Sequence, residues 1–504
     1  MRIPLIIAAV FLVVAVAVVI VSDQNVQNSD DYGYLYAVYT DAAGNLDVVD
    51  VYESHVVNGA PTAMIQRYRD PVTGINKSWG FNEKGIGPFN CFYAAVNILD
   101  DGSAYHADDS VEKRKNTAAG TIAYVLDPND LGKTLAGNAY TYYIYNVMLI
   151  VPTVYWTSAK VTMDSSMGNL KEGTEYNVLY LSSSSTYTPS GQAEISGMIA
   201  YAHSASKVSG TTDFNSNVFP YLGIGVYESY ATVSGDIVGS DMLVSQSGRI
   251  PASNVTVDAF KDLTDSLIPV QGSKVDSYYQ QWNYYQWTLY KMMCYTVMGS
   301  KNSQVMVGTG YTEGNTCKAV SGSTDRVGLY GNASQTTAAD GTVSSENGRT
   351  ASKLFIENSW GSLNEFIGDT FVDGAQHSEQ QLYAGNYLGG EKLLENRVQP
   401  SASQMWADTI AAGKHHVIAA ASAASATWDT PILSDANSAA YTDPAFPGDI
   451  VNSKDSGPCS LTAGGRWNNI KYSGVAFICA GYDIALANDY RGARLACLMS
   501  GDVI

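Results

Sequence analysis

Hydrophobic and polar positions alternate in short runs along the first part of the chain. Residues 34–39 alternate in type, residues 41–45 have the composition of a turn, and residues 46–52 supply the second half of a hairpin. Strong helix signals are lacking through residue 139. The pattern therefore predicts a small β-rich domain over residues 34–139.

From residue 140 the hydrophobic runs become longer. Residues 142–156, 176–181 and 221–233 have the composition of buried strands, and polar Ser/Gly-rich loops such as 182–191 separate them. We expect these strands to belong to a second, larger module over residues 140–504.

One segment has helical spacing instead. Asp276 and Ser277 can cap a helix over 278–298, and Gly299 can close it. Aromatic and apolar residues spaced by four and three positions define one face of this helix, namely Tyr278, Trp282, Tyr285, Leu289, Met292 and Thr296. We interpret this face as core packing, with a ligand groove as the alternative.

The N-terminus carries an unbroken apolar run over residues 3–21, with Arg2 before it and acidic residues after it. About 20 apolar residues span a bilayer as a helix, whereas the apolar region of a cleaved signal peptide has roughly 7–15. We therefore expect an uncleaved transmembrane anchor over 1–22 and a polar spacer over 23–33, with the N-terminus inside and the C-terminus outside. A secreted protein with a long signal peptide is the alternative.

Composition narrows the classes of partner. The chain has 48 acidic and 29 basic residues and a net charge of −19, which disfavours nucleic acid and anionic membrane surfaces. Its 35 tyrosines and 46 glycines are typical of a β-rich, loop-rich surface protein. The six cysteines form no C-x-x-C pair, so a zinc site is not predicted. The sequence is compatible both with one or two disulfides and with buried free thiols.

The last forty residues carry a frame of glycine, aromatic and arginine positions. Gly464 and Gly465 permit a tight backbone turn, Trp467 and Phe477 can bury large side chains, and Arg494 can pair internally near the end of a strand. Between the anchors, 15 of the 23 residues from 468 to 490 are Asn, Tyr, Asp, Ile or Ala. Such a frame predicts a binding surface on a rigid scaffold.

The composition of residues 468–490 suits molecular recognition. Tyrosine offers large contact area at low entropic cost, and Asn and Asp offer adaptable hydrogen bonds. The candidate ligand-binding positions are Asn468, Asn469, Ile470, Tyr472, Ile478, Ala480, Tyr482, Asp483, Ile484, Asn488, Asp489 and Tyr490. The alternative is an ordinary solvated edge of strands and loops.

The C-terminal frame, with weaker contributions from residues 356–369 and 147–310, resembles the variable proteins of diversity-generating retroelements. It is also similar to prophage tail-fibre surface modules. The resemblance implies a C-type-lectin-like fold, related to that of formylglycine-generating (sulfatase-modifying) enzymes, with a variable region at 464–497. It also implies adenine-directed mutagenesis of Asn-type codons. The expected fold class is therefore α+β: a C-type-lectin-like mixed module with long loops, preceded by the β-rich domain and the transmembrane helix.

These observations predict a cell-surface ligand-binding protein that is not an enzyme. Its partner would be a protein or glycan on another cell or virus, and it would contact the membrane only through the N-terminal helix. A fixed-specificity adhesin or carbohydrate-binding module is the alternative, and an extracellular hydrolase is a minor one.

Catalytic and metal chemistry find little support in the sequence. Cys459, Cys479 and Cys497 are 20 and 18 residues apart, whereas formylglycine-generating enzymes, by the resemblance, use a close cysteine pair. Cys91 could act as a nucleophile, but its distance along the sequence from each histidine gives no indication of a catalytic pair (His106, His377, His415, His416). We predict no catalytic or metal-binding residues and no cofactor. Structural calcium stays open for acidic loops at 41–50 and 435–449, which do not fit an EF-hand.

Overall fold

A computed structural model describes residues 34–41, 46–51, 56–57, 60–61, 65–67, 79–99, 119–164, 166, 169–187, 194–204, 218–265, 267, 277–300, 303–313, 317–373, 381–384, 415–417, 450–453, 458–470 and 473–500. The strands in the first half are β1 (Leu35–Thr40), β2 (Leu46–Val51), β3 (Val56–Val57), β4 (Ala60–Pro61), β5 (Ile65–Arg67), β6 (Phe92–Asn97), β7 (Ile122–Asp127), β8 (Asp130–Thr134), β9 (Tyr145–Pro152), β10 (Tyr155–Thr162), β11 (Glu175–Ser182), β12 (Tyr221–Gly225), β13 (Tyr230–Ala231) and β14 (Leu243–Val244).

The strands in the second half are β15 (Ser277–Gln281), β16 (Tyr330–Asn332), β17 (Thr336–Thr337), β18 (Val343–Ser344), β19 (Ser352–Leu354), β20 (Ile356–Glu357), β21 (Asn364–Asp373), β22 (Gln381–Ala384), β23 (His415–Val417), β24 (Ile450–Ser453), β25 (Cys459–Gly464), β26 (Gly474–Asp483), β27 (Arg491–Ala493) and β28 (Leu495–Met499). The α-helices are α1 (Val257–Asp265), α2 (Tyr284–Met298) and α3 (Ser303–Met306), and short 3-10 helices lie at Pro88–Asn90, Tyr142–Ile144 and Tyr201–His203.

The secondary structure corrects the predicted fold class. Strands account for 41% of the structure and helices for 13%, so the architecture is mostly β and the expected α+β class is wrong. Only α2 exceeds nine residues among the described helices, and none of them is long and apolar enough to cross a membrane. The predicted N-terminal transmembrane helix is therefore not supported. Its residues 1–22, like the spacer 23–33, lie outside the described residues.

The central sheet has the strand order β15-β28-β12-β9-β6-β7-β8. The C-terminal strand β28 lies between β12 and β15 and is antiparallel to both. Every residue of β6 and β28 is buried, as is β9 except Pro152. Near-continuous apolar strands of this kind are covered on both faces, and they form the middle of the core.

A second sheet, in the order β10-β11-β1-β2-β5, contains strands from both sides of the predicted domain boundary at 139/140. The N-terminal strand β1 pairs with β11, with Leu35 opposite Ser182, and β6 pairs with β9 in the central sheet. Strands from both sides of the boundary therefore share sheets. Local sequence patterns cannot reveal such distant pairing.

The third large sheet, β22-β21-β25-β26-β24-β23, contains the C-terminal frame. Strand β26 lies between β25 and β24, and β27 adds to β21 in parallel. The loops that leave β25 and β26 are the part of this sheet that carries the candidate surface.

Helix α2 differs from its prediction at the N-terminal end. Residues 277–281 form β15, which pairs with β28, and the helix begins after Asn283, which makes a capping box with Gln286. Its end at Gly299, in the left-handed conformation, was predicted correctly. All fifteen helical residues are buried, so the helix has no single apolar face. Even Lys291 is only 1% exposed; its ammonium lies 4.2 Å from the Trp287 ring centroid and has no hydrogen-bond partner among the described residues.

Candidate recognition surface

The turn that follows β25 depends on two glycines. Gly464 and Gly465 both have φ +84°, where side chains are strained. A Cβ on Gly464 would lie 2.6 Å from the Ser359 carbonyl oxygen, and a Cβ on Gly465 would lie 2.4 Å from Ser473 Oγ. The tight turn predicted from the sequence is confirmed, and it leads to Arg466 and residues 468–470 at the surface.

The two aromatic anchors are buried, as expected. Trp467 is 6% exposed and packs with Tyr311 and Leu363, and its backbone N–H donates to the Ser362 carbonyl at 3.2 Å. Phe477 is also buried on β26. Each ring fixes one side of the frame by burial of a large apolar area.

Arg494 connects the central and C-terminal sheets. Its Nε donates to the Glu365 carboxylate on β21 at 3.0 and 2.8 Å, and Nη1 donates to the carbonyls of Gly225 and Val226 at 2.8 and 2.9 Å. Nη2 donates to the Glu357 carbonyl at 2.8 Å and again to Glu365. All five N–H donors of the guanidinium are used, which confirms the internal pairing predicted for this residue.

A second carboxylate supports this arrangement. Glu228 accepts from Ser362 Oγ at 2.7 Å and from the Leu363 N–H at 2.8 Å. Burial, and then the charge of Glu365, raise the pKa of Glu228 well above its usual value. The backbone beside the candidate surface is therefore held by hydrogen bonds to buried polar groups.

Two segments form what we call the recognition face: residues 466–470 after β25, and residues 482–490 at the end of β26 and beyond it. The guanidinium of Arg466 lies 3.8 Å from the centroid of the Tyr490 ring. The Tyr482 and Tyr490 rings lie 6.2 Å apart. These contacts bring the two segments together into one surface.

The structure sorts the predicted contact positions into four groups. Exposed side chains belong to Asn468, Ile470, Asp483 and Asp489. Partly buried side chains belong to Asn469, Tyr482, Ile484, Asn488 and Tyr490. Tyr472 lies outside the described residues.

Ile478 and Ala480 form the fourth group, and their assignment to a ligand-binding surface is wrong. Both are fully buried. They lie on β26 where β25 and β24 flank the strand, with Ile478 opposite both Ala463 and Val451. A side chain enclosed in the middle of a covered sheet cannot contact a partner, and amino-acid type alone did not reveal this.

Hydrogen bonds fix the first segment. The Oδ1 atoms of Asn469 and Asn468 accept from the backbone N–H and the Nε of Arg466, both at 2.8 Å. The Ile470 N–H donates to the Thr312 carbonyl at 3.0 Å, and its carbonyl accepts from Gln304 Nε2 at 2.8 Å. The backbone is thus held in place while the Ile470 side chain stays 49% exposed.

The second segment is fixed in a similar way. Asp483 Oδ1 accepts from the Ala485 N–H at 2.9 Å. The Asn488 carbonyl accepts from the Asn254 N–H at 2.8 Å, and the Tyr490 carbonyl accepts from the Asn364 N–H at 3.0 Å. Both ends of the turn are therefore attached to the body of the protein.

Arg466 and Leu486 belong to this surface and the buried Arg491 lies beneath it, but none of the three was predicted as a contact position. The guanidinium of Arg491 lies 4.0 Å from the Tyr482 ring centroid, beneath the face. Burial, and then a hydrogen bond with Tyr490, raise the pKa of Tyr482 to about 12. The signal in the sequence was proximity, since Arg491 directly follows Tyr490 and Arg466 lies two residues before Asn468.

The buried cysteines offer no nucleophile to this surface. All six are free, and all except the partly exposed Cys317 are buried. Burial raises the pKa of the Cys91 thiol, which opposes the thiolate that a cysteine hydrolase needs. Within the part of the chain that the structure describes, no group of three or more His, Cys, Asp or Glu residues could hold a metal ion.

His203 is the one histidine whose side chain belongs to the described part of the chain, and it is a poor candidate for a base. His203 is buried, and its Nε2 lies 3.0 Å from the Val151 carbonyl. Burial lowers the pKa of His203 to about 4. His106 and His377 lie outside the described residues, and His415 and His416 are described only as part of β23.

Comparison with protein-family models and with curated proteins found no match to this chain.

Proposed function

We propose that this chain is a binding protein whose recognition face engages a partner on another cell or virus. One observation carries the proposal: two hydrogen-bonded segments present exposed side chains around two stacked Tyr–Arg pairs, directly above a frame that is fully buried. The apolar run at 3–21 supports a site of action outside the cytoplasm.

The residue types fit this role. Tyr and Arg are enriched among the residues that dominate binding energy, especially where apolar neighbours exclude water around them. Ile470 and Leu486 are exposed apolar residues on the two segments of the face. Since hydrogen bonds already fix the backbone, binding orders few additional groups and loses little entropy.

The resemblance to retroelement variable proteins extends the proposal to diversification. Exposed positions such as Asn468, Asp483 and Asp489 can change without disturbing the core, whereas Ile478 and Ala480 cannot. We therefore expect variation to concentrate in 466–470 and 482–490. Diversification would be established by a second copy of the coding segment for 464–496 in the neighbouring DNA. This copy would differ only at adenines and lie beside a reverse transcriptase gene. Without such a copy, a fixed-specificity adhesin is the better description.

A pair of matched variants tests the binding role. The full chain is immobilised and screened against purified cell-surface and virion proteins and an array of oligosaccharides. Ile470→Ser removes a 49% exposed aliphatic side chain from the face, and Val343→Ser removes a 51% exposed one from β18, a strand of another sheet.

We expect at least one ligand whose affinity falls about tenfold or more, about 1.4 kcal/mol, with Ile470→Ser and does not change with Val343→Ser. Ligands that bind all three proteins equally, or are lost equally in both variants, would contradict the proposal.

A further inference from the structure

Two arginines at the recognition face, Arg466 within it and Arg491 directly beneath it, lack a carboxylate partner. Arg466 and Arg491 form no ion pair with any described residue, although the chain has 48 acidic residues against 29 basic ones. Asp483 and Asp489 lie on the same face, but neither pairs with an arginine. The face therefore holds two arginines and two aspartates that do not pair with one another.

Arg491 is short of hydrogen-bond partners. Only 1% of the residue is exposed. Among the described residues its Nη1 donates to the Leu486 carbonyl at 3.4 Å, and its Nε has no partner. By contrast, nearby Arg494 uses all five donors. Because an unpartnered buried donor is costly, the contrast marks Arg491 as a group that lacks its acceptor.

Asn488 adds a second unfilled donor on the same segment. Both Nδ2 and Oδ1 of its side chain are buried and have no partner in the described part of the chain. Only its backbone carbonyl is used, by Asn254. An incoming group with acceptor oxygens would satisfy donors on both residues.

The tyrosine rings indicate which kind of partner carries those oxygens. A sugar would stack on a free aromatic face, and a guanidinium already covers one face of each ring, on Tyr490 at 3.8 Å and on Tyr482 at 4.0 Å. The exposed neighbours include the aliphatic side chains of Ile470 and Leu486. Buried cations beside aromatic and aliphatic groups are typical of protein–protein contacts.

We infer that the partner is a protein that presents an Asp or Glu carboxylate to Arg466, Arg491 and Asn488. This inference rests on the proposed function and specifies the chemistry of its ligand. A guanidinium and a carboxylate form strong, often bidentate hydrogen bonds. The net charge of −19 does not prevent the contact, because the Debye length is about 8 Å at physiological ionic strength.

A displayed library of random peptides is the probe. The full chain, Arg466→Gln, Arg491→Gln and the control Arg326→Gln are panned in parallel, and the selected peptides are synthesised and titrated. Arg326 is a matched control because its side chain is 81% exposed and pairs with Asp130 instead. Thermal unfolding of each variant checks that it is folded.

We expect peptides enriched in Asp or Glu, bound at least tenfold more weakly by Arg466→Gln and by Arg491→Gln and equally well by Arg326→Gln. Raising the salt concentration should weaken this binding. Arg466→Lys should recover part of the affinity, since lysine keeps the charge but not the bidentate geometry.

The remaining outcomes separate the two claims. Peptides that require Ile470 but carry no acidic residue would overturn the carboxylate inference and leave the proposed function standing. Sulfated or sialylated oligosaccharides bound in place of peptides would overturn the assignment to a protein partner. If no peptide or oligosaccharide depends on Ile470, both claims fail.

Discussion

Replacement of Arg494 by methionine should weaken the whole frame beneath the recognition face. The substitution leaves Glu365 as a buried carboxylate without its cation, and it removes the donor to the carbonyls of Gly225, Val226 and Glu357. Breaking a buried ion pair from one side typically costs about 3–5 kcal/mol. Each orphaned buried acceptor adds about 1 kcal/mol or more. With three carbonyls orphaned, we therefore expect a loss of roughly 6–8 kcal/mol.

The assay is urea unfolding followed by tryptophan fluorescence, with eight tryptophans as reporters. The informative comparison is Arg494→Met against the double variant Arg494→Met/Glu365→Leu. Removing the stranded carboxylate as well should recover about 2 kcal/mol or more, because a buried pair replaced by apolar residues is often neutral.

The pH dependence provides an independent readout. Without Arg494, burial raises the pKa of the unpaired Glu365 further. The folded state then binds more protons than the unfolded state above pH 4.5, so the single variant loses stability as pH rises from about 4.5 toward neutral. A loss below about 1 kcal/mol, or a double variant no more stable than the single one, would refute the reasoning.

Three further predictions concern other parts of the fold. Burial lowers the pKa of Lys291 to about 7, so the unfolded state binds more protons than the folded state between pH 7 and 10.5. Lys291→Met should therefore raise the free energy of unfolding at pH 7 by roughly 2–4 kcal/mol and reduce the gain in stability from pH 7 to 9. An unchanged dependence of stability on pH would count against this prediction. Gly464→Ala should lower the free energy of unfolding in urea by about 2–4 kcal/mol, because its Cβ would meet a backbone oxygen at 2.6 Å. The control Gly341→Ala, with φ +86° and open space around the Cβ, should lower it by only about 1–2 kcal/mol. Equal losses in the two variants would contradict the steric argument. A thiol reagent should modify one cysteine, Cys317, in the native protein and six after denaturation, and rapid native labelling of several thiols would contradict the described burial.

Elements defined by local signals were predictable. The hairpin of β1 and β2 forms with Leu35 opposite Val51, as the alternating pattern and intervening turn indicated. The end of α2 follows from the freedom of Gly299 to adopt the left-handed conformation. These signals depend only on neighbouring residues.

Long-range pairing accounts for the main errors. Residues 277–281 have helical spacing, but pairing with β28 makes them a strand. The β1–β11 pairing connects the predicted β-rich domain over 34–139 to the following module. Neither partner can be identified from local periodicity, because the hydrogen bonds connect distant segments of the chain.

The candidate site shows the same division. Its anchors were predictable because Gly465, Trp467 and Arg494 each have a distinctive physical role. Ile478 was misplaced because β26 is covered on both sides, so its burial does not follow an alternating pattern. The importance of Arg491 depends on missing partners, which only the three-dimensional arrangement shows.

The central claim is that residues of the recognition face tolerate substitution, whereas the buried residues that support it do not. A substitution scan of residues 464–494 measures this tolerance directly. Every position is varied in a displayed library, which is sorted for resistance to protease and sequenced. We predict that Asn468, Ile470 and Asp489 accept most amino acids with little loss of the folded fraction, whereas Gly464 and Arg494 accept almost none. Equal tolerance at all five positions, or intolerance at the exposed ones with tolerance at the anchors, would contradict the account.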